Sequence, residues 1–313
     1  MTDRETEQRR GIALGIGAYG IWGLLPLFFN AVGHVSPFEV LAQRVVWSLL
    51  LVGALLVMAR RLGALRRASA DRRAVAILAA SATLIAVNWL VYIWAVTNGH
   101  VIASSLGYFL NPLLNVLLGV LLLKERLRPI QVGAVLLAGC GVAVLAAGAG
   151  EGLWISASLA LTFGFYGLLR KVVTVDALEG LAIETVLLLP PAIAILAWLR
   201  VSGDLSFGSD PSTTALLVAA GPLTAVPLLL FAAAARRMPY AMLGLLQYIA
   251  PTLQFLIGVF VYHEPLTPAH LICFALIWSG LALFALDALR HARRVVVPTA
   301  APAGTDPHGH PVR

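Results

Sequence analysis

Residues Leu106–Pro129 read LGYFLNPLLNVLLGVLLLKERLRP, and residues Leu245–Pro268 read LLQYIAPTLQFLIGVFVYHEPLTP. Aligned without a gap, Pro112 meets Pro251, Gly119 meets Gly258, Glu125 meets Glu264 and Pro129 meets Pro268. The repeat lies inside apolar segments long enough to cross a bilayer. A duplicated membrane half is the usual build of a secondary transporter, with the solute handled between the halves.

Hydrophobic residues make up 60% of the 313, and charged residues only 12%. The mean hydropathy is +0.89. A soluble domain of this length has no use for so much apolar surface, so the solvent is lipid. The formal charge of +7 does not indicate nucleic acid, because the basic residues sit at the ends of apolar runs. Cys140 and Cys273 each lie within such a run and read as packing residues, not as a disulfide. No histidine pair stands at i, i+4, so neither a metal site nor any other cofactor is expected. The opening MTDRETEQRR is mixed in charge and no cleavable signal peptide is evident.

A span needs roughly 20 apolar residues. Ten segments qualify, at about 11–31, 38–58, 74–96, 101–123, 130–148, 152–169, 181–199, 213–235, 241–261 and 269–287. Gly99 and the run Gly148–Gly152 supply the tightest turns. With both termini cytoplasmic, 20 of the 22 basic residues fall on the inside; Arg200 is left outside and Arg44 within a span. Five spans precede the midpoint and five follow, so the second half is flipped relative to the first. KERLRP then falls inside, and its counterpart HEPLTP, stripped of basic residues, falls outside. Tyr19–Leu25 (YGIWGLL) also resembles Phe163–Leu169 (FGFYGLL).

The expected fold is therefore an all-α membrane protein, with ten transmembrane helices as two inverted five-helix repeats. Residues 1–10 form a cytoplasmic N-terminal segment, 11–148 the first repeat and 152–289 the second. Residues 290–313, basic and then rich in Pro, Ala, Gly and His, are expected to be a disordered cytoplasmic tail. The loop 59–73 carries six arginines and reads as a topology determinant touching anionic lipid.

A charge within hydrocarbon costs at least ~2.5 kcal/mol, so an intramembrane ion needs a reason. Arg44 in SPFEVLAQRVVWS lies roughly 9 Å below the outer surface. It either snorkels outward or meets a partner on another helix or on the substrate. Glu39, Gln43 and Trp47 crowd the same region. The third span offers Asn88, Trp89 and Tyr92; the fourth offers Tyr108 and Asn111 before Pro112. In the second half, Tyr166 lies in the sixth span, and Gln247, Tyr248 and Gln254 flank Pro251. Singly, each can serve as glue between helices. As a cluster they point to a substrate cavity, with Pro112 and Pro251 as helix breaks facing it. Glu39 begins the second span near the outer surface and Glu184 begins its repeat partner, the seventh, near the inner surface; as a pair at pseudo-equivalent ends they are candidates with Gln43 for gating or coupling. Alternatively, each acid favours its helix N-terminus through the dipole.

The runs SPFEVLAQRVVWS, NWLVYIWAVTNGHVIASSLGYFLNPL and LGLLQYIAPTLQFLIGVFVYHEPL, with FGFYGLLRK and LAIETVLLLP, resemble the RarD proteins. These belong to the EamA group of the drug/metabolite transporter superfamily. The resemblance covers about residues 11–289. It implies two EamA-type repeats in the bacterial inner membrane, multi-pass. Superfamily relatives move amino acids, metabolites, nucleotide sugars or drugs, and RarD proteins are named for chloramphenicol sensitivity. One departure is Gln43, where a His commonly precedes the Arg, so a proton relay through that imidazole is not available here.

The leading expectation is a secondary transporter of a small organic solute, working by alternating access and exporting. The alternative is a non-transporting sensor or channel-like protein. No GxxxxGK[ST] loop and no Gly-x-Ser-x-Gly nucleophile motif occurs, so neither an ATPase nor an enzyme is expected. The expected partners are that solute and the lipid bilayer, with no nucleic acid; monomer and homodimer both fit.

Overall fold

Without water, a backbone must satisfy its own hydrogen bonds, and the long Ala- and Leu-rich runs do so as helices. The computed structural model describes residues 3–123, 129–147, 152–235, 237 and 246–296. It is helical throughout: α1 (Asp3–Ala31), α2 (Pro37–Met58), α3 (Leu62–Ala70), α4 (Arg72–Thr97), α5 (Val101–Leu123), α6 (Pro129–Ala147), α7 (Leu153–Val172), α8 (Ala177–Ser202), α9 (Pro211–Ala235), α10 (Ile249–Phe260) and α11 (Pro268–Val296). Among the described residues six helices are long and apolar enough to cross a membrane: α1 from Arg9, α2, α4, α7, α8 and α9. Shorter apolar stretches occupy Val101–Asn111, Val132–Val144, Ile249–Phe260 and Pro268–Gly280. The turn at Gly148–Gly152 up to residue 151, the loop 124–128, Arg236, the start of the 241–261 span and the tail from 297 lie outside the described residues.

Local chemistry fixes the ends. The Asp71 carboxylate caps α4, accepting from the backbone N–H groups of Arg73 (2.9 Å) and Ala74 (3.2 Å). Gly203, at φ 84°, closes α8 in the left-handed conformation. Asp210 accepts from the Ser212 hydroxyl and the Thr213 N–H before α9, and these bonds hold its carboxyl well below the usual range.

Three expectations need correction. The loop 59–73 contains a helix, α3, entered through Arg60 at φ 53°; its residue Leu65 packs against both α4 and α8 neighbours. Pro112 is not a break, for α5 runs on past it to Leu123; ahead of Pro251 the span is interrupted by a turn at Gln247–Tyr248, and Pro251 sits in the first turn of α10, where an N–H has no intrahelical acceptor to lose. The C-terminal helix also continues to Val296, beyond the expected start of the tail at 290.

α2 packs against α8 and α9, α1 against α9 and α10, and α4 and α5 against α7. α6 and α11 pair beside α5, where Phe109, Ala134, Ala138, Cys273, Phe274 and Ile277 form one buried cluster. Both cysteines are free; Cys273 is buried there and Cys140 is exposed on the outer face. Between α2 and α9 the approach depends on Gly221. A Cβ at Gly221 would lie 2.5 Å from Trp47 Cβ and 2.6 Å from its backbone carbon. Gly221→Ala should therefore cost about 1–3 kcal/mol by overpacking. Gly53→Ala on α2, with nothing within 4 Å, should be neutral or slightly stabilising. Thermal unfolding of both variants in detergent checks the contrast.

Candidate functional site

The helices enclose a cavity of about 830 Å³ lined from α1, α2, α4, α5, α7, α8, α9 and α10. One end reaches exposed residues at Ala59, Asp176 and Arg237, with half-buried Arg61 among them. The other end stops on a buried cluster that includes Leu25, Phe29, Val35, Val40, Tyr92 and Val96, with Trp22, Trp89 and Tyr108 against it. The cavity thus opens at one end of the bundle.

Arg44 stands at the closed end and is only 4% exposed, so it does not snorkel. Its Nε donates to Thr224 Oγ1 at 2.5 Å, and its guanidinium lies 4.1 Å from the Trp89 ring centre. Among the described residues no carboxylate pairs with it. Beside it, Tyr92 and Tyr108 meet edge to face at 5.5 Å, and the Tyr108 hydroxyl donates to Asn88 Oδ1 at 3.1 Å. Asn88 is itself fixed, donating to Leu159 O (3.0 Å) and Thr162 Oγ1 (2.9 Å) on α7. Phe163 stacks edge to face on Tyr108 and continues to Tyr166. Gln254 donates to the backbone carbonyl of Trp22 at 3.1 Å.

Glu184 lies further along the same cavity, 2% exposed. Ser81 Oγ donates to it at 2.5 Å, and Arg170 Nη1 stands 3.8 Å away. At the open end Arg61 pairs with Asp176 and with Glu179, the latter at 2.6 Å, and both acids raise its pKa.

Nine of the ten residues expected to bind substrate line this cavity: Arg44, Asn88, Trp89, Tyr92, Tyr108, Asn111, Tyr166, Gln247 and Gln254. Tyr248 does not; its ring stacks on Phe109, in the cluster shared with α11. The other candidates separate. Glu184 lines the cavity, whereas Gln43 accepts from Trp47 Nε1 at 3.0 Å away from it. Glu39 is fully buried at the closed end, accepting from the N–H groups of Ser206 (2.9 Å) and Phe207 (2.8 Å). Glu264 does the same at the start of α5, with Val101 N (2.6 Å) and Ile102 N (2.8 Å); burial pushes its carboxyl up against the pull of those donors.

Glu39 and Glu184 are therefore not counterparts. The gapless register PFEVLAQR over ALEGLAIE, from Pro37 and Ala177, pairs Glu39 with Glu179 and Arg44 with Glu184. Reading that register would have found Glu179 from the sequence. Arg170, Arg61, Ser81 and Thr224 carry no such signal, because each matters only through a contact from another helix.

Residues 9–147 match the model of the EamA-like transporter family. An uncharacterised transporter of Pseudomonas aeruginosa is 49% identical, the match covering 93% of this chain and 98% of that protein. The protein RarD of Streptomyces exfoliatus is 46% identical, with 93% and 92% covered. The protein RarD of Escherichia coli is 43% identical, with 92% and 98% covered. One crystal structure superposes with a TM-score of 0.57 over 90% of this chain and 99% of that one, at 23% identity, a likeness of fold.

Proposed function

Since the chain belongs to the RarD proteins of the EamA-like transporter family, we propose that it is a secondary carrier that exports a small organic solute by alternating access through the cavity. The observation that carries this reading is the cavity itself, polar at its depth, lined from both halves of the chain and open at one end only. A channel needs a continuous path; a carrier needs a site closed on one side at a time.

Ten crossings in two inverted repeats of five complete the reading. The register that sets Arg44 on α2 against Glu184 on α8 supports it, as does the match of YGIWGLL with FGFYGLL. The concentration of Lys and Arg at the open end supports placing that end, and both termini, on the cytoplasmic side of a bacterial inner membrane. A single cysteine at Asp204 is then labelled by impermeant reagents only from outside; labelling only from the cytoplasm would overturn the inverted repeat.

The carrier reading is tested in proteoliposomes. Uptake of a labelled solute should saturate and be accelerated by unlabelled solute inside, the mark of counterflow. Linear flux without counterflow would identify a channel, and specific binding without flux a sensor.

A further inference from the structure

The cavity is lined by polar atoms that the described residues do not pair. Arg44 Nη1, the Tyr92 hydroxyl, Asn111 Oδ1 and Gln254 Oε1 are all buried, all on side chains that line the cavity, and have no hydrogen-bond partner among the described residues. Two of these atoms donate, and two are carbonyl oxygens that only accept. Arg44 is besides a full charge in the membrane with no carboxylate beside it among the described residues. Such a charge is costly unless something that enters the site completes it.

The donors and the charge lie together. Phe29 borders both the Arg44 guanidinium, at 5.8 Å, and the Tyr92 ring, at 5.7 Å. Trp89 covers a face of the guanidinium and leaves its nitrogens at the edge to bond in plane. One free guanidinium nitrogen and one phenol hydroxyl match the two oxygens of a carboxylate. A dianion fits poorly, since Arg170, toward the open end of the cavity, already stands beside Glu184. The two free carbonyl oxygens ask for N–H or O–H groups further along the solute. Trp22, Tyr108 and Phe163 offer aromatic faces to its body.

We propose that the solute carried is a small organic monocarboxylate, its carboxylate seated on Arg44 and Tyr92, its apolar or aromatic body along Trp22, Tyr108 and Phe163, and a donor group toward Asn111 and Gln254. This rests on the carrier reading above and names the chemistry of its site.

The test uses matched probes on the full chain in detergent. 3-Phenyllactate, its primary amide and the amine analogue 1-amino-3-phenylpropan-2-ol share a body and a hydroxyl and differ in the head group. A parallel series with an isobutyl body guards against a misfit of the ring. Binding is read by tryptophan fluorescence and by thermal shift. In at least one series the carboxylate should bind about tenfold or more tightly than the amide or amine. Arg44→Gln should erase that preference. Tyr92→Phe, which removes a hydroxyl with no protein partner, should weaken the carboxylate severalfold and leave the amide unchanged, a check that stands even if Arg44→Gln does not fold. An amide or amine that binds as well as the carboxylate, a carboxylate indifferent to Tyr92→Phe, or no binding in either series overturns the proposal. Counterflow is scored separately: carboxylate binding without counterflow would contradict the carrier reading and leave the site intact.

Discussion

Arg44→Ala should abolish transport, with turnover at least about a hundredfold below the parent protein, while Arg66→Ala changes it by less than about twofold. The difference follows from where the two charges lie. Arg44 is 4% exposed, bonded to Thr224 and stacked on Trp89, whereas Arg66 is exposed on α3. Truncating Arg44 removes a full positive charge at the closed end and leaves the Thr224 hydroxyl and the Trp89 face unoccupied, roughly 3 kcal/mol of lost interaction. Arg44→Lys should recover little. An ammonium keeps the charge but loses the flat surface that stacks on Trp89 and the fork that serves two oxygens at once. Transport into proteoliposomes, normalised to folded protein, distinguishes these outcomes. Full activity in the Lys variant would reduce position 44 to a charge alone.

Removal of the other buried cavity charge should show first in stability. Glu184→Ala leaves the Ser81 hydroxyl without its acceptor and the Arg170 guanidinium without its carboxylate. A lone buried ion costs more than an absent pair. The single variant Glu184→Ala should therefore unfold at a lower temperature than the double variant with Arg170→Ala, and the two substitutions should couple by about 1–2 kcal/mol. The figure is modest because the Arg170 side chain is 18% exposed and 3.8 Å away. Additive losses across the cycle would show that the two groups do not sense each other. Glu184→Gln, which keeps the contact with Ser81 but not the charge, should fall between parent and Ala in melting temperature.

Positions of the apolar helices were legible in the sequence because lipid leaves a chain few choices: a run of suitable length with basic ends becomes a helix. Much of the cavity was legible too. A polar side chain inside such a run must face protein or water, so Asn88, Asn111 and Gln254 announced themselves. The candidates that lie off the cavity share a feature. Tyr248 packs on Phe109 of α5, Gln43 serves Trp47, and Glu39 ties down a loop 167 residues away. Each is a polar residue satisfied by a neighbour that periodicity cannot name. Pro112 misled for a different reason, since α5 carries on through it and a proline inside an apolar run does not by itself name a break. α3 went unseen because nine residues with three alanines and two basic side chains read as a loop when apolar length is the criterion.

The account stands on the cavity being the solute path, and reactivity at two aligned positions tests it most directly. Tyr108 and Gln247 are equivalent in the repeat, and both line the cavity. With Cys140 and Cys273 replaced by serine, Tyr108→Cys and Gln247→Cys should each react with a small, impermeant thiol reagent applied at the cytoplasmic end, and a transported carboxylate should slow both reactions. Cysteines that stay inert at both positions in a protein that still transports would mean that these faces are packed glue and that the solute travels elsewhere.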